Sequence, residues 1–371
     1  HAVIKLFPKA KVRYGFINRG KHIFPEGFAD LLRVSVDAMA DLRLTKEEKN
    51  YLAHYCPYLD PTYLDFLQGY SFDPSEVQIS QEGSEISVTV EGFWYRTILW
   101  EVPLMALISE LFYKASHLIR LNDEAIKNLT KEKIENYNKL GVSVLEFGTR
   151  RRHSYEVHDL VNKTLNTYGG QSFIGTSNVH FAMVNNKRPL GTHAHEWFMF
   201  HAAQYGFQVA NFISLENWTK VYGGDLGIAL TDTYTTEIFF NQFDKKYSKL
   251  FDGVRHDSGD PIEFAQKVIA HYTKMGIDPK SKVIVFSDSL NYDKVKKIVD
   301  FCQDKIKMSF GIGTNFTNDV GLPAMNMVIK LTDTKPDNIH WQGVVKLSDE
   351  KNKNTGTPEM IALAKQVLGI K

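Results

Sequence analysis

The stretch DGVRHDSGDPIEFAQKVIAHYTKM (Asp252–Met275) contains one complete folding unit. A short apolar run ends in a polar, glycine-containing cluster. Asp260 and Pro261 then stand where a helix wants its N-cap and its first-turn proline, and an amphipathic pattern follows. Strand, polar loop, capped helix is the repeating element of a parallel α/β sheet. The same grammar recurs on both sides, in VSVLEFGTRRR (142–152), SFIGTSN (172–178), RPLGTHAHE (188–196), LGIALTDT (226–233), KVIVFSDS (282–289) and MSFGIGTN (308–315). Seven units in a row predict an α/β fold, with an irregular or incomplete α/β barrel over 141–324. In such folds the loops after the strand C-termini converge on one mouth, where chemistry resides.

Outside this region the pattern changes. KVRYGFINR reads as a strand, PEGFADLLRVSVDAM as a helix, and Thr45 with Glu48 as a capping box. EVQISQEGSEISVTVEGFW alternates in period two, with Gly83 and Gly92 as turn points, and predicts antiparallel strands. VPLMALISELFYKASHLI predicts a helix with Pro103 in its first turn. These features make 1–140 an N-terminal α/β sandwich domain. The tail, 325–371, reads as short strands around a polar turn followed by a helix from Thr357. It is expected to return to the sandwich, which would make that domain discontinuous.

Composition narrows the function classes. A chain of 371 residues suits two domains. A net charge of +1 disfavours binding to nucleic acid or membrane surfaces by charge alone. Cys56 and Cys302 have no metal or redox spacing, and no apolar run reaches the roughly 18 residues a bilayer crossing needs. A cytoplasmic location is the expectation.

The polar clusters carry the candidate chemistry. Arg255 offers a planar fork for a carboxylate or phosphate. Asp257 and Asp260 could accept from ribose hydroxyls or hold water around Mg²⁺, although Asp260 also reads simply as a helix cap. Gly311, Gly313 and Thr314 have the composition of a phosphate loop, and Ser287 and Asp288 stand ready to share a phosphate or ribose. Arg150, Arg151 and Arg152 form a basic run. His193 and His195, one residue apart, could be a zinc pair, a general base, a nucleophile or packing. If they lie on a strand, both rings share one face, with Glu196 on the other. The zinc reading suffers because His256 is the only later histidine at an expected strand end. The inventory as a whole suits a phosphorylated sugar reacting with a small anion.

The order EFGTRRR, GTSN, GTHAHEW, LTDT, VRHDSGDP, GIGTNFTND resembles that of the nicotinate phosphoribosyltransferase family, over nearly the whole chain. The resemblance implies a type II phosphoribosyltransferase fold and a homodimer with shared active sites. It implies synthesis of nicotinate mononucleotide and diphosphate from nicotinate and 5-phosphoribosyl 1-diphosphate, in NAD salvage. ATP hydrolysis would be coupled through a transient phosphohistidine, with Mg²⁺ accompanying the substrate's diphosphate. By position in the family's G-T-x-A-H pattern, His195 would be the phosphorylated histidine. Thr192 would contact nicotinate, Arg255 would face its carboxylate, Arg150 would lie beside the pyridine ring, Asp257 near the ribose and Thr314 at the diphosphate sugar. Thr176 and Ser177 stand where amide-using relatives place an aspartate, which favours nicotinate over nicotinamide. A family D-x-Y-K segment, whose tyrosine stacks on the pyridine, would precede "HAV". A silent nucleotide sensor with the same pocket is the alternative outside enzymology.

Overall fold

The computed structural model describes residues 1–337, 340–350 and 353–370. Its strands are β1 (Lys11–Ile17), β2 (Val77–Glu82), β3 (Glu85–Phe93), β4 (Ser143–Glu146), β5 (Phe173–Thr176), β6 (Ile228–Leu230), β7 (Gly253–His256), β8 (Val283–Phe286), β9 (Lys307–Ile312), β10 (Val328–Lys335) and β11 (Gln342–Gly343). By internal contacts the chain divides into two compact units. The first comprises 1–135, 146–190 and 313–331; the second comprises 136–145, 191–312 and 332–371.

In the first unit, β2 and β3 form the expected antiparallel hairpin, turning at Gly83 and Ser84, with Val77 opposite Val90 and Ile79 opposite Val88. Gly92 is not a turn point. It lies inside β3 opposite Val12 of β1, because the period-two alternation continues through it. Phe24, Phe28 and Phe112 pack this unit's core, with ring centroids 4.8 Å (Phe24–Phe28) and 5.4 Å (Phe24–Phe112) apart. The helix Glu101–Ala115 carries Pro103 in its first turn, where no intrahelical N–H is needed. Thr45 and Glu48 close the reciprocal capping box.

In the second unit the strands pair in parallel, β6 with β7, β7 with β8 and β8 with β9. Val254, Ile284 and Phe310 are fully buried, as a sheet covered on both faces requires. Gly253 is obligatory here: a Cβ would lie 1.9 Å from the carbonyl oxygen of Val283. The parallel strands form an open run, and no closed barrel is present among the described residues. One of the seven expected strand units is absent. RPLGTHAHE makes only a single bridge, Pro189 to Thr176, because proline has no N–H for a ladder. The chain then passes directly into the helix His195–Tyr205. β10, β11 and the helix Pro358–Leu368, capped by Thr357, supply the expected tail. Part of its polar turn, Asn338 and Ile339, lies outside the described residues.

Asp260 caps Pro261–Lys274, its Oδ1 accepting from the N–H groups of Ile262 and Glu263 at 2.9 Å each. Asp260→Ala should therefore destabilise the protein by about 1 kcal/mol, and Asp260→Asn by much less. Equal denaturation midpoints for wild type and Asp260→Ala would remove the cap from the stability argument.

Candidate functional site

The two histidines of the H-x-H pair have opposite surroundings. His193 is buried, with its ring 4.1 Å from that of Trp218 in an edge contact and with Phe198 and Phe251 nearby. Neither ring nitrogen has a hydrogen-bond partner. Burial, helped by the Arg255 cation, lowers its pKa to about 3. His193 is a neutral packing residue enclosed by aromatic rings, and it is not among the ligand atoms that converge around His195, so the two histidines do not make a zinc pair.

His195 opens a helix instead of ending a strand, and Ala194 is the N-cap. Its ring therefore turns away from His193 and enters a cluster of charged groups. Nε2 lies 2.8 Å from Lys346 Nζ and 3.0 Å from Asp257 Oδ2, with Asp232 Oδ1 at 3.6 Å; Nδ1 lies 3.0 Å from Thr233 Oγ1. Burial lowers the imidazole pKa, and the Lys346 ammonium lowers it further; Asp232 and Asp257 oppose this without prevailing. The ring is neutral at pH 7.

A neutral ring cannot both accept from Lys346 and donate to Asp257 through Nε2. Two tautomers are available. With the proton on Nε2, the ring donates to Asp257. With the proton on Nδ1, it donates to Thr233, and the Nε2 lone pair faces Lys346. The second form is a nucleophile.

The acids stay ionised through their other neighbours. Burial would raise Asp257, but the Arg255 guanidinium holds it well below the usual carboxylate range. Asp232 is also raised by burial, but His195 and Lys346 together bring it below its ordinary value, and Ser258 donates to it at 2.6 Å. Arg255 makes four hydrogen bonds: Nε to Ser287 Oγ at 2.8 Å, one terminal nitrogen to Thr192 Oγ1 at 2.8 Å and to the carbonyl of His193 at 3.2 Å, and the other to Asp257 Oδ1 at 2.6 Å. Thr192, Arg255, Asp257, Ser287 and His195 thus come together as one constellation.

Other expected residues are placed differently. Asp260 is used as a helix cap. Asp288 Oδ1 accepts from Lys353 at 3.1 Å, so its charge is compensated by a lysine that the motif reading passed over. Gly311 belongs to β9, leaving Gly313 and Thr314 at the loop, where Gly313 is the N-cap of the short helix Thr314–Thr317. In the first unit, Arg150 is half-exposed and pairs with Glu101 at 2.7 Å. Ser177 is exposed. Thr176 is buried and donates to Glu146 at 2.5 Å, so its hydroxyl is occupied.

Lys346, like Thr233, is a member of this cluster that sequence reasoning missed. Lys346 lies in VVKLSD, outside the polar clusters that end the parallel strands, and only the fold places its ammonium on His195. A cation fits this cluster. Ligand atoms of His195, Asp232 and Asp257 lie within 4.8 Å of one another, and the buried Oδ1 of Asp232 lacks a hydrogen-bond partner. Because Lys346 already stands 3.4 Å from Asp232 Oδ2, a Mg²⁺ ion suits the set only through the carboxylate oxygens, with its remaining positions on water and substrate oxygen.

Residues 142–371 match the model of the nicotinate phosphoribosyltransferase (NAPRTase) family, and residues 1–109 match that family's N-terminal domain. The nicotinate phosphoribosyltransferase of Chromohalobacter salexigens is 60% identical over 369 residues, covering 100% of this chain and 95% of the relative. That of Desulforapulum autotrophicum is 50% identical, covering 99% and 95%. The crystal structure of nicotinate phosphoribosyltransferase from Porphyromonas gingivalis superposes with a TM-score of 0.97 at 45% identity, covering 100% of this chain and 96% of that one. The chain belongs to the nicotinate phosphoribosyltransferase family.

Two outcomes check the electrostatics. Lys346→Met should raise the His195 pKa, since the ammonium opposes ring protonation, and imidazole nitrogen shifts across a pH titration would read it. An unmoved titration would detach Lys346 from the ring. His193 stays neutral when folded but titrates near 6.5 when unfolded. Its contribution is therefore complete above pH 6.5 and lost progressively as pH falls towards about 3. His193→Leu should reduce the loss of unfolding free energy between neutral and acidic pH; an identical loss in both proteins would contradict this.

Proposed function

We propose that this chain catalyses ATP-coupled synthesis of nicotinate mononucleotide and diphosphate from nicotinate and 5-phosphoribosyl 1-diphosphate, a step of NAD salvage. The observation that carries the proposal is a neutral His195 whose Nε2 lies against Lys346 and two carboxylates, in a chain of this family.

In the coupling step the Nε2 lone pair attacks the γ-phosphorus of ATP. The N–P bond forms as the P–O bond to ADP breaks, and the electron pair leaves with ADP. Thr233 Oγ1, 3.0 Å from Nδ1, accepts a hydrogen bond from the ring and holds the nucleophilic tautomer. Lys346 moves from the lone pair to the arriving phosphoryl oxygens. Phosphorylation changes the local charge, and the differential affinity of the two protein forms for substrates is what ATP hydrolysis can exploit.

In the transfer step the pyridine nitrogen bonds to the sugar C1 as the C–O bond breaks, with the electron pair leaving on diphosphate. The transition state resembles an oxocarbenium ion, as in glycoside chemistry. Arg255, held by Thr192 and Ser287, orients the nicotinate carboxylate, and in-line placement lowers the barrier. Asp257 lies on the ribose side, and Ser287, Asp288, Gly313 and Thr314 serve the phosphates. On the first unit, Arg150 and Ser177 serve the base. A Mg²⁺ ion held by Asp232 and Asp257 oxygens would neutralise the departing diphosphate. A cytoplasmic homodimer with shared sites completes the proposal, supported by the family resemblance; no described helix is long and apolar enough to cross a membrane.

Nucleotide formation from nicotinate and the diphosphate sugar, with and without ATP, tests the activity; no product in either case would reject it. With γ-labelled ATP, the protein should retain label in base, release it in acid and fail to label as His195→Asn. That variant should keep slow ATP-independent transfer. Persistent labelling of His195→Asn would sink the assignment.

A further inference from the structure

Glu146 is a fully buried acid that the reaction scheme above does not use. It ends β4 in the EFGTR segment, and its side chain is 0% exposed, as is that of His158 beside it. Its Oε1 accepts a short hydrogen bond from the Gly148 N–H. Its Oε2 lies 2.8 Å from His158 Nε2 and accepts from Thr176 Oγ1 at 2.5 Å. Its backbone carbonyl accepts from the Ser177 N–H at 2.9 Å. Burial raises the carboxyl pKa, but His158, Thr176 and Gly148 together bring it below the ordinary value.

These contacts join two loops that are distant in sequence. Gly148 is the N-cap of the turn Thr149–Arg151, so whatever fixes Gly148 fixes the start of Arg150. Thr176 Oγ1 also accepts from the Asn178 N–H at 3.0 Å, and Asn178 Nδ2 donates to Thr149 Oγ1 at 3.3 Å as a second tie. Gly148 is closely packed: a Cβ there would lie 2.1 Å from Thr317 Oγ1, which itself donates to the Gly148 carbonyl at 3.0 Å. The buried carboxylate is the shared acceptor on which both loops converge. Removing one donor from a buried acceptor costs more than the lost bond, because the acceptor remains desolvated.

We propose that Glu146, with His158 and Thr176, is a positioning bracket that holds Arg150 and the Ser177 hydroxyl in register for the pyridine base. Thr176 is thereby reassigned from substrate contact to support. The inference rests on the proposed function, in which Arg150 and Ser177 serve nicotinate. Glu146 and Thr176 bond the base loops directly and reach the helix Thr314–Thr317 only by way of Gly148, so the signature is a KM split weighted to the base.

The test compares wild type, Thr176→Val, Thr176→Ser and Glu146→Gln in steady-state assays varying nicotinate and the diphosphate sugar separately, with melting curves alongside. Thr176→Val is isosteric and deletes one donor; its KM for nicotinate should rise roughly tenfold, with the KM for the diphosphate sugar rising far less. Thr176→Ser, which keeps the hydroxyl, should restore the wild-type value. Glu146→Gln should show the same split or larger, because its amide NH₂ meets donors. Equal rises in both KM values, a loss confined to kcat, or a Thr176→Ser protein no better than Thr176→Val would overturn the bracket while leaving the reaction assignment intact. A wild-type protein inactive on nicotinate would overturn that assignment, and the inference with it.

Discussion

One buried and one part-buried carboxylate, a guanidinium, an ammonium and a neutral ring share one cluster. That charge balance is the constraint on which the second unit depends. Asp232 and Asp257 are ionised because Lys346 and Arg255 are adjacent, and each cation in turn needs the acids. Removing one partner would leave a buried charge uncompensated, which is far costlier than losing the pair together. The imidazole is the one neutral member, and it can exchange tautomers without changing this balance. It is also the member the proposed chemistry uses.

The balance is held from outside by a second layer. Asp349 accepts from the Thr236 N–H at 2.8 Å and from its hydroxyl at 2.6 Å, and its own N–H donates to Ser258 Oγ at 3.2 Å. Ser258 then donates to Asp232. The preceding Thr235 has φ of 71°, a left-handed conformation disfavoured for a β-branched residue. Such strain persists where the surroundings over-determine it. Here the surroundings are the Thr235 hydroxyl capping the helix Thr236–Gln242 and the Asp349 contacts to Thr236. The tail segment carrying Lys346 and Asp349 therefore both supplies the cation beside His195 and braces the acid opposite it.

In the proposed scheme Arg255 joins recognition to chemistry. The same guanidinium that holds Asp257 ionised also engages Thr192, the residue three positions before His195 in sequence. An anion arriving at Arg255 must exchange with contacts that set the acid beside His195. In the proposed scheme, binding of the carboxylate substrate and the state of the histidine would be linked through this one side chain, by differential contacts in the two forms.

Much of this was legible in the sequence because it depends on local rules. Asp260-Pro261, Thr45 with Glu48, Thr357 and the β2–β3 alternation announce caps and strands through spacing alone, and motif order identified the family. The parallel units were legible as apolar runs, except RPLGTHAHE, where Pro189 denies the ladder a donor and the pattern reads as a strand without forming one. That single difference decides the histidines. On a strand they would share a face; at a helix start His193 goes into the aromatic core and His195 into the charges. Lys346 and the Glu146–His158–Thr176 cluster had no local signal. Their partners are distant in sequence, and burial, which turns an ordinary lysine or glutamate into a determinant of its neighbours' protonation, exists only once the chain has folded.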